Sequence, residues 1–212
     1  MTHNEPASSP LMLLISAPSG AGKTTVCEQL LQTTPGLARA ITCTTRSPRA
    51  GEVDGKDYYF LDDATFQSRQ ASGDFLESAQ VYGKRYGTLR SEVLTRLGQG
   101  QDVLLNIDVQ GAKTIRAKAR TDAELAKVLV TVFLAPVSLE VLAERLAKRG
   151  KDAPEVIQTR LQAARQELAC WRDYDYLVLS TSIEEDLRRM RTIYEAEKRR
   201  VSRYITAPFS AG

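Results

Sequence analysis

Residues 11–25 read LMLLISAPSGAGKTT, and the order of features in this stretch decides the fold. Five apolar residues, 11–15, run directly into a glycine-rich loop, which is typical of a buried parallel strand that ends in a turn. Residues 24–31 then carry apolar side chains at helical spacing, and Pro35-Gly36 ends the predicted helix. A strand, a glycine loop and a helix in this order predict an α/β protein.

The loop itself matches a phosphate-binding pattern. Residues 17–24 follow GxxxxGK[ST], except that Ala17 stands at the first glycine. In such a loop the backbone N–H groups surround the β-phosphate, Lys23 reaches the β- and γ-phosphates, and Thr24 ligates Mg²⁺. The alternative is a glycine-rich turn with an exposed lysine, but the flanking strand and helix favour nucleotide binding. The predicted ATP-binding residues are Ala17, Pro18, Ser19, Gly20, Ala21, Gly22, Lys23, Thr24 and Thr25.

The rest of the chain alternates strand and helix patterns. Apolar runs predict further strands at residues 103–108, 128–134 and 176–179, with a weaker one at 38–42. Helical patterns lie at residues 91–97, 112–118, 139–148, 155–172 and 184–204. This alternation predicts an α/β fold with three αβα layers and a parallel five-stranded sheet. Residues 44–90 break the alternation with five glycines and short aromatic runs, which predicts an inserted small, mixed α/β subdomain with short antiparallel strands.

Composition excludes several classes of function. The 212 residues are 42% apolar and 26% charged, which fits one globular domain, and a net charge of +3 does not by itself indicate nucleic-acid binding. The only histidine is His3, so Ser-His-Asp triads, Cys-His pairs and histidine-ligated metals are excluded. Three cysteines without a CxxC pattern do not predict disulfides or a zinc ribbon, and a cytoplasmic location fits best.

No apolar run in the sequence is long enough to predict a membrane segment. The longest apolar run, residues 128–137, has ten residues, whereas a membrane span needs roughly 18. Residues 1–10 are rich in polar residues, have no basic start and are interpreted as a flexible leader. The basic segment at residues 184–204 also carries an apolar stripe and acids, which favours a docked helix over nucleic-acid binding.

A second basic segment predicts an anion site. Residues 42–52 place Arg46 and Arg49 three positions apart around Pro48, which stiffens the backbone. Two guanidinium groups so placed suit a phosphate monoester through bidentate hydrogen bonds. Polar and aromatic candidates follow at Tyr58, Glu77, Tyr86 and Thr88. Each alone is weak, because aromatic residues at this spacing also build small-sheet cores and Glu77 also fits a solvated surface acid.

Five ordered blocks of the chain carry a family resemblance that extends from Leu13 to about Tyr194. They read SAPSGAGKTT, TTRSPRAGEVDGKDYYF, DFLESAQVYGKRYGT, NIDVQGA and RLAKRGKDAPEVIQTRLQAARQEL. On these blocks the sequence resembles guanylate kinase, a P-loop nucleoside monophosphate kinase. The resemblance implies transfer of the γ-phosphoryl group of ATP to GMP, giving ADP and GDP, with Mg²⁺ as cofactor, in purine nucleotide metabolism.

The resemblance also implies roles for the acceptor side. Positions that hold the phosphate of GMP match Arg46, Arg49, Tyr58 and Tyr86. Positions that hold guanine match Thr42, Glu77 and Thr88, and Asp108 is grouped with them. A carboxylate accepts from both N1–H and the amine of guanine, a donor pair that adenine lacks, so Glu77 is expected to set base choice. Asp108 is also a candidate to support Mg²⁺ through water, and a helix cap before Gly111 is its alternative role.

The resemblance further implies a helical lid at residues 137–165. Arg149 and Arg160 are then expected to close on the transferring phosphoryl group beside Arg49, stabilising its charge and excluding water. The predicted catalytic residues are Lys23, Arg49, Arg149 and Arg160. Arg145 and Arg165 are expected only to pair with nearby surface glutamates. The core is then assigned to residues 11–42 and 92–212, and the GMP-binding insertion to residues 43–91.

Some positions depart from the family pattern, and two alternatives stay open. Asn106 stands where an acid is usual, Lys84-Arg85 replaces Asn-Tyr, and Ser180 replaces an asparagine near adenine. These departures leave the reaction type intact but leave the contacts to the donor base open. The alternatives are another small P-loop kinase and a non-catalytic, guanylate-kinase-like module that binds proteins. One sequence also leaves open whether the chain forms a homo-oligomer.

Overall fold

The computed structural model describes residues 8–81, 83–148 and 153–205. In chain order its helices and strands are β1 (Met12–Ser16), α1 (Lys23–Thr33), β2 (Leu37–Arg39), β3 (Thr42–Thr44), β4 (Tyr59–Phe60), α2 (Asp63–Ala71), β5 (Phe75–Val81), β6 (Lys84–Leu89), α3 (Arg90–Gly98), β7 (Asp102–Asn106), α4 (Val109–Ala119), α5 (Ala123–Val128), β8 (Leu129–Pro136), α6 (Leu139–Lys148), α7 (Pro154–Leu168), β9 (Tyr176–Ser180) and α8 (Ile183–Lys198).

The central sheet is parallel and five-stranded, as the alternating pattern predicts. Its order is β2-β7-β1-β8-β9, so β1 lies in the middle with β7 and β8 beside it. All five residues of β1 are buried, because helices cover both faces. Leu13 and Ile15 pack in the cluster with α1 and α8, whereas Met12 and Leu14 pack in the cluster with α3 and α4. The three-layer αβα prediction is therefore confirmed.

The inserted segment forms a second, mixed sheet. Its order is β4-β3-β6-β5, with β3 parallel to β4 and antiparallel to β6. The weak strand predicted at residues 38–42 is two strands: β2 belongs to the central sheet and β3 to the second one. Between them the N–H of Ala40 bonds the carbonyl of Leu104, and the N–H of Ile41 bonds Glu92 Oε1 at 3.2 Å. The chain crosses from one sheet to the other at this point.

Several element boundaries differ from the sequence prediction. The helices α2 and α5 were not predicted, because segments of nine and six residues carry too little periodicity. The predicted helices at residues 155–172 and 184–204 each end in a 3₁₀ turn, at Ala169–Asp173 and Val201–Arg203. Among the residues described here, no helix is both long and apolar enough to cross a membrane.

The two ends of the described chain are bound to each other. The N–H of Ser9 donates to the carbonyl of Arg203 at 2.7 Å, and Ser8 forms a β-bridge with Tyr204. Residues 8–10 of the predicted leader are thus attached to the C-terminal segment. The remainder of that prediction, residues 1–7, lies outside the described residues.

A buried carboxylate on β7 joins three parts of the fold. Asp102, 4% exposed, accepts from the N–H of Leu11 at 2.8 Å, the hydroxyl of Tyr194 at 2.5 Å and the ammonium of Lys198 at 3.0 Å. A buried carboxylate is stable only when donors and a counter-charge surround it. Asp102 therefore fixes α8 and the start of β1 against β7.

Replacing Asp102 by alanine should destabilise the fold by about 3 to 5 kcal/mol, because it leaves the Lys198 ammonium and the Tyr194 hydroxyl without their partner. Urea unfolding measures the change. Glu195→Ala is the control, since Glu195 is exposed and its pair with Arg199 spans 3.9 Å; it should change stability by less than about 0.5 kcal/mol. Equal losses in the two variants would contradict this account.

Candidate functional site

The glycine loop lies between β1 and α1, at the carboxyl edge of the central sheet. Gly20 and Gly22 both have φ of +93°, a conformation that L side chains rarely adopt. At Gly20 a Cβ would also lie 2.7 Å from Leu146 Cδ2 of α6. Both the positive φ and the contact with Leu146 therefore favour glycine at this position, and α6 packs directly on the loop.

Lys23, the first residue of α1, is turned inward. Its Nζ donates to the carbonyl of Ile107, just after β7. Burial lowers the pKa of the ammonium, and negative charge around it, including that of Asp108 and Glu167, acts in the opposite direction. Lys23 is thus held against the carboxyl end of β7, where it also lines the cleft described below.

Glu167 of α7 is not among the predicted site residues, although it lies in the fifth block of the family resemblance. Burial and the neighbouring Asp108 raise the pKa of this carboxyl, while the backbone N–H of Ser19 and the charge of Lys23 oppose the rise. The carboxyl therefore lies close to the glycine loop, and Glu167 lines the same cleft. In such loops the backbone N–H groups are the donors for phosphate oxygens.

On the second sheet, three predicted residues form one cross-strand row. Thr42 of β3 lies opposite Thr88 of β6, and Thr88 lies opposite Glu77 of β5. Neighbours in such a row point to the same face of a sheet. The Thr88 hydroxyl donates to Glu77 Oε1 at 2.7 Å, and Glu77 is only 3% exposed. Glu77 is thus a buried carboxylate, and its alternative role as a solvated surface acid is wrong.

The space for Glu77 depends on Gly111 of α4. A Cβ on Gly111 would lie 2.4 Å from Glu77 Oε2. The N–H of Gly111 donates to Asp108 Oδ1 at 2.9 Å, so Asp108 is the N-cap of α4. The cap that sequence analysis gave as an alternative role for Asp108 is therefore present. The same side chain also lines the cleft described below.

Arg46 is held by Glu52, which sequence analysis did not select. Arg46 Nη1 donates to Glu52 Oε2 at 2.9 Å and Nη2 to Oε1 at 2.8 Å, and the N–H of Arg49 donates to Glu52 Oε2 at 2.7 Å. These bonds lower the pKa of Glu52 and raise that of Arg46. The Arg46 guanidinium lies 5.3 Å from the ring centre of Tyr58. Glu52 therefore ties both arginines of the loop into one site.

One cleft of about 790 Å³ joins the two halves. Predicted residues that line it are Ala17, Pro18, Ser19, Gly20, Gly22, Lys23, Thr24, Thr25, Arg49, Tyr58 and Asp108. Arg39, Glu52, Asn106, Arg145 and Glu167 line it as well. Arg46 and Tyr86 adjoin it through Tyr58. Arg160 lies on α7 outside the lining formed by the described residues, and Arg149 lies outside those residues altogether.

The structure places Arg145 differently from the expected surface ion pair. Its Nη1 donates to the carbonyl of Ala21 in the glycine loop at 3.3 Å and to Ser180 Oγ at 3.0 Å. Its Nη2 donates to the carbonyl of Thr181 at 3.3 Å. No local pattern could indicate this, since Ala21 is 124 positions away in sequence.

A glycine loop at the carboxyl edge of a parallel sheet, opening into a cleft lined by arginines, defines a P-loop nucleotide-binding protein. The family model described as guanylate kinase matches residues 9–197. The chain belongs to the guanylate kinase family.

Individual relatives agree with this assignment. A guanylate kinase from Nitrosomonas europaea is 44% identical over 194 residues, which cover 92% of this chain and 93% of that protein. One from Clostridium perfringens (strain 13 / Type A) is 42% identical over 193 residues, which cover 91% and 86%. The crystal structure of guanylate kinase from Anaplasma phagocytophilum matches with a TM-score of 0.75 at 30% identity, covering 94% of this chain and 92% of that one.

Glu77 should make the stability of the protein depend on pH. Burial, reinforced by Asp108, raises the pKa of Glu77 to about 7, although Thr88 and Lys23 oppose the rise. The folded state then binds this proton more tightly than the unfolded chain, so stability falls as pH rises from about 4.5 to about 7. The difference in pKa corresponds to about 3 kcal/mol.

Glu77→Gln removes this titration, so the variant should gain about 3 kcal/mol relative to the wild type between pH ~4.5 and ~8. Urea unfolding of both proteins across this range measures it. The exposed Glu195→Gln serves as control and should follow the wild-type pH profile. Parallel profiles for wild type and Glu77→Gln would rule out the buried titration.

Proposed function

We propose that the protein transfers the γ-phosphoryl group of ATP to GMP, giving ADP and GDP. The observation that carries the proposal is the cleft, which is lined by the phosphate-binding loop and by Arg49, Glu52 and Tyr58 of the inserted segment. The buried Glu77 lies outside this lining, next to Asp108, which is part of it. Two anionic substrates can meet in such a cleft. Membership of the guanylate kinase family supports the same reaction.

Glu77 is proposed to select the guanine base. In its ionised form the carboxylate accepts from N1–H and the exocyclic amine of guanine, while Thr88 already donates to Oε1. Thr42 flanks Thr88 in the same row and completes the base site. Adenine would leave the buried carboxylate without those donors, and sites of this kind discriminate by roughly 10⁴ to 10⁵.

Arg46, Arg49, Tyr58 and Tyr86 are proposed to hold the phosphate of GMP. Glu52 bonds the end of the Arg46 guanidinium, so the edge formed by Nε–H and Nη2–H stays directed away from that carboxylate. An arginine fork matches two phosphate oxygens. The phenols of Tyr58 and Tyr86 add neutral donors beside it.

The donor phosphates are proposed to bind residues 17–25. Lys23 then exchanges the Ile107 carbonyl for the β- and γ-phosphates. An oxygen of the GMP phosphate forms the new bond to the γ-phosphorus while the bond to the β-phosphate oxygen breaks, and ADP leaves. Arg49, Arg149 and Arg160 are proposed to neutralise the equatorial oxygens, and positioning with charge neutralisation suffices for this transfer.

Mg²⁺ is proposed as the cofactor that neutralises charge on the donor phosphates. Within the described part of the chain, no cluster of three or more His, Cys, Asp or Glu side chains could hold a metal by itself. This fits Mg²⁺, which usually binds one or two protein groups together with substrate phosphates. Thr24 would be its direct ligand and Asp108 would act through water, and both line the cleft.

The three free thiols support a cytoplasmic location as part of the proposal.

A coupled assay offering GMP, AMP, UMP, CMP and dTMP with Mg²⁺-ATP tests the function. GMP should be turned over fastest, by roughly 10⁴-fold or more over AMP. Faster turnover of another monophosphate would favour a different small P-loop kinase. Absence of ADP formation with GMP would favour the non-catalytic, protein-binding module.

Gly111→Ala tests the Glu77 site without removing the carboxylate. The added Cβ would meet Glu77 Oε2 at 2.4 Å and displace it. The KM for GMP should rise on the order of 10-fold to 100-fold, while the KM for ATP stays unchanged. Gly98→Ala is a matched control, because Gly98 is also helical and its Cβ would meet nothing within 4 Å. Equal KM values for GMP in the two variants would contradict the proposal that Glu77 binds the guanine base.

A further inference from the structure

Asp186 is a buried acid that the proposed reaction does not use. It lies in the first turn of α8 and is 2% exposed. Its Oδ2 accepts from the Ser180 hydroxyl at 2.6 Å, and its Oδ1 accepts from the N–H of Thr181 at 3.0 Å. Both partners are neutral, so these bonds alone do not balance the buried negative charge.

The positive charge is that of Arg145, and the Ser180 hydroxyl lies between it and Asp186. Ser180 has a single hydroxyl proton, which it donates to Asp186, so its oxygen is left to accept. It accepts from Arg145 Nη1 at 3.0 Å. Ser180 is 1% exposed, so water does not compete for either bond. Asp186, Ser180 and Arg145 thus form a directed chain in which a carboxylate orients a hydroxyl and the hydroxyl orients a guanidinium.

This chain holds an arginine at the nucleotide cleft. Arg145 comes from α6, and its other two bonds reach the carbonyl of Ala21 in the glycine loop and that of Thr181 after β9. The described residues take three of its five N–H donors. One donor remains on Nε and one on Nη2, and the side chain lines the cleft. A guanidinium with two such donors fits the oxygens of a phosphate chain.

We propose that Ser180 and Asp186 are positioning residues that fix Arg145 beside the glycine loop, so that its remaining edge meets the phosphates of the donor nucleotide. The inference rests on the proposed function only in naming that nucleotide. A long side chain that is already ordered loses less conformational entropy when the ligand binds. The pair should therefore act on binding of the donor, not on binding of the acceptor.

The test uses Asp186→Asn and Ser180→Ala. Asp186→Asn keeps the shape but removes the charge and offers Ser180 a donor in place of an acceptor. Ser180→Ala removes the hydroxyl and leaves Asp186 intact. Each variant should raise the KM for ATP about 5-fold to 20-fold and weaken ADP binding, measured by calorimetry, by the same factor. The KM for GMP should stay within about 2-fold of the wild-type value. A general loss of structure would instead change both KM values.

A double-mutant cycle with Arg145→Lys decides whether the pair acts through Arg145. The double variant Arg145→Lys/Asp186→Asn should bind ADP no more weakly than Arg145→Lys alone, because the interaction is already lost. Additive losses, or equal changes in both KM values, would overturn the proposal. Glu185→Gln is the control on the same helix turn, since Glu185 pairs with Arg188 and Arg189; its constants should equal those of the wild type.

The readouts separate this inference from the proposed function. Thermal unfolding verifies that each variant is folded, and Ser180→Ala decides alone if Asp186→Asn is not. Calorimetry with ADP needs no turnover. If the wild type bound ADP but did not phosphorylate GMP, the function would fail while the positioning role was still measured. If Ser180→Ala bound ADP as tightly as the wild type, the positioning role would fail whatever the turnover of GMP.

Discussion

The ammonium of Lys23 is the one positive charge on which the arrangement of the cleft depends. It interacts electrostatically with Asp108, Glu167 and Glu77, which come from the end of β7, from α7 and from β5. Burial raises the pKa values of Glu77 and Glu167, the charge of Asp108 adds to the rise, and the charge of Lys23 opposes it. The glycine loop, the proposed base site and α7 therefore form one electrostatic unit, in which a charge added at one end changes proton binding at the other.

Two carboxylates lie next to N–H donors that are proposed to bind substrate phosphates, and they act in different ways. Glu167 lies close to the Ser19 N–H of the loop, so its negative charge repels a phosphate that binds there. Glu52 bonds the end of the Arg46 guanidinium, and a phosphate on the Nε edge leaves those bonds intact. The charge of Glu167 therefore opposes a phosphate at the loop, whereas Glu52 keeps Arg46 ordered.

The sequence predicts what local patterns encode. The apolar pentad before the loop and the spacing around Lys23 are enough to place β1, α1 and the parallel sheet. Two arginines around Pro48 predict a phosphate site, which remains a proposal. Periodicity could not divide residues 38–42 between two sheets, because each half is equally extended. Nor could it find Gly111 or Glu52. Gly111 matters only because the fold places Glu77 of β5 against α4. Glu52 is important only because it bonds Arg46 in the folded protein, and its sequence does not distinguish it from other acids.

Arg46 and Arg145 show how the same side chain is prepared for an anion in two different environments. Each commits three N–H donors to the described protein and keeps two, one on Nε and one on Nη2. Arg46 bonds its carboxylate directly, which offsets much of its charge, so its contribution to a bound phosphate is mainly geometric. Arg145 is separated from Asp186 by the Ser180 hydroxyl, and because attraction falls with distance, more of its field reaches the cleft. The more highly charged phosphate chain therefore belongs on the Arg145 side and the monoester on the Arg46 side, which is the direction in which the proposed reaction runs.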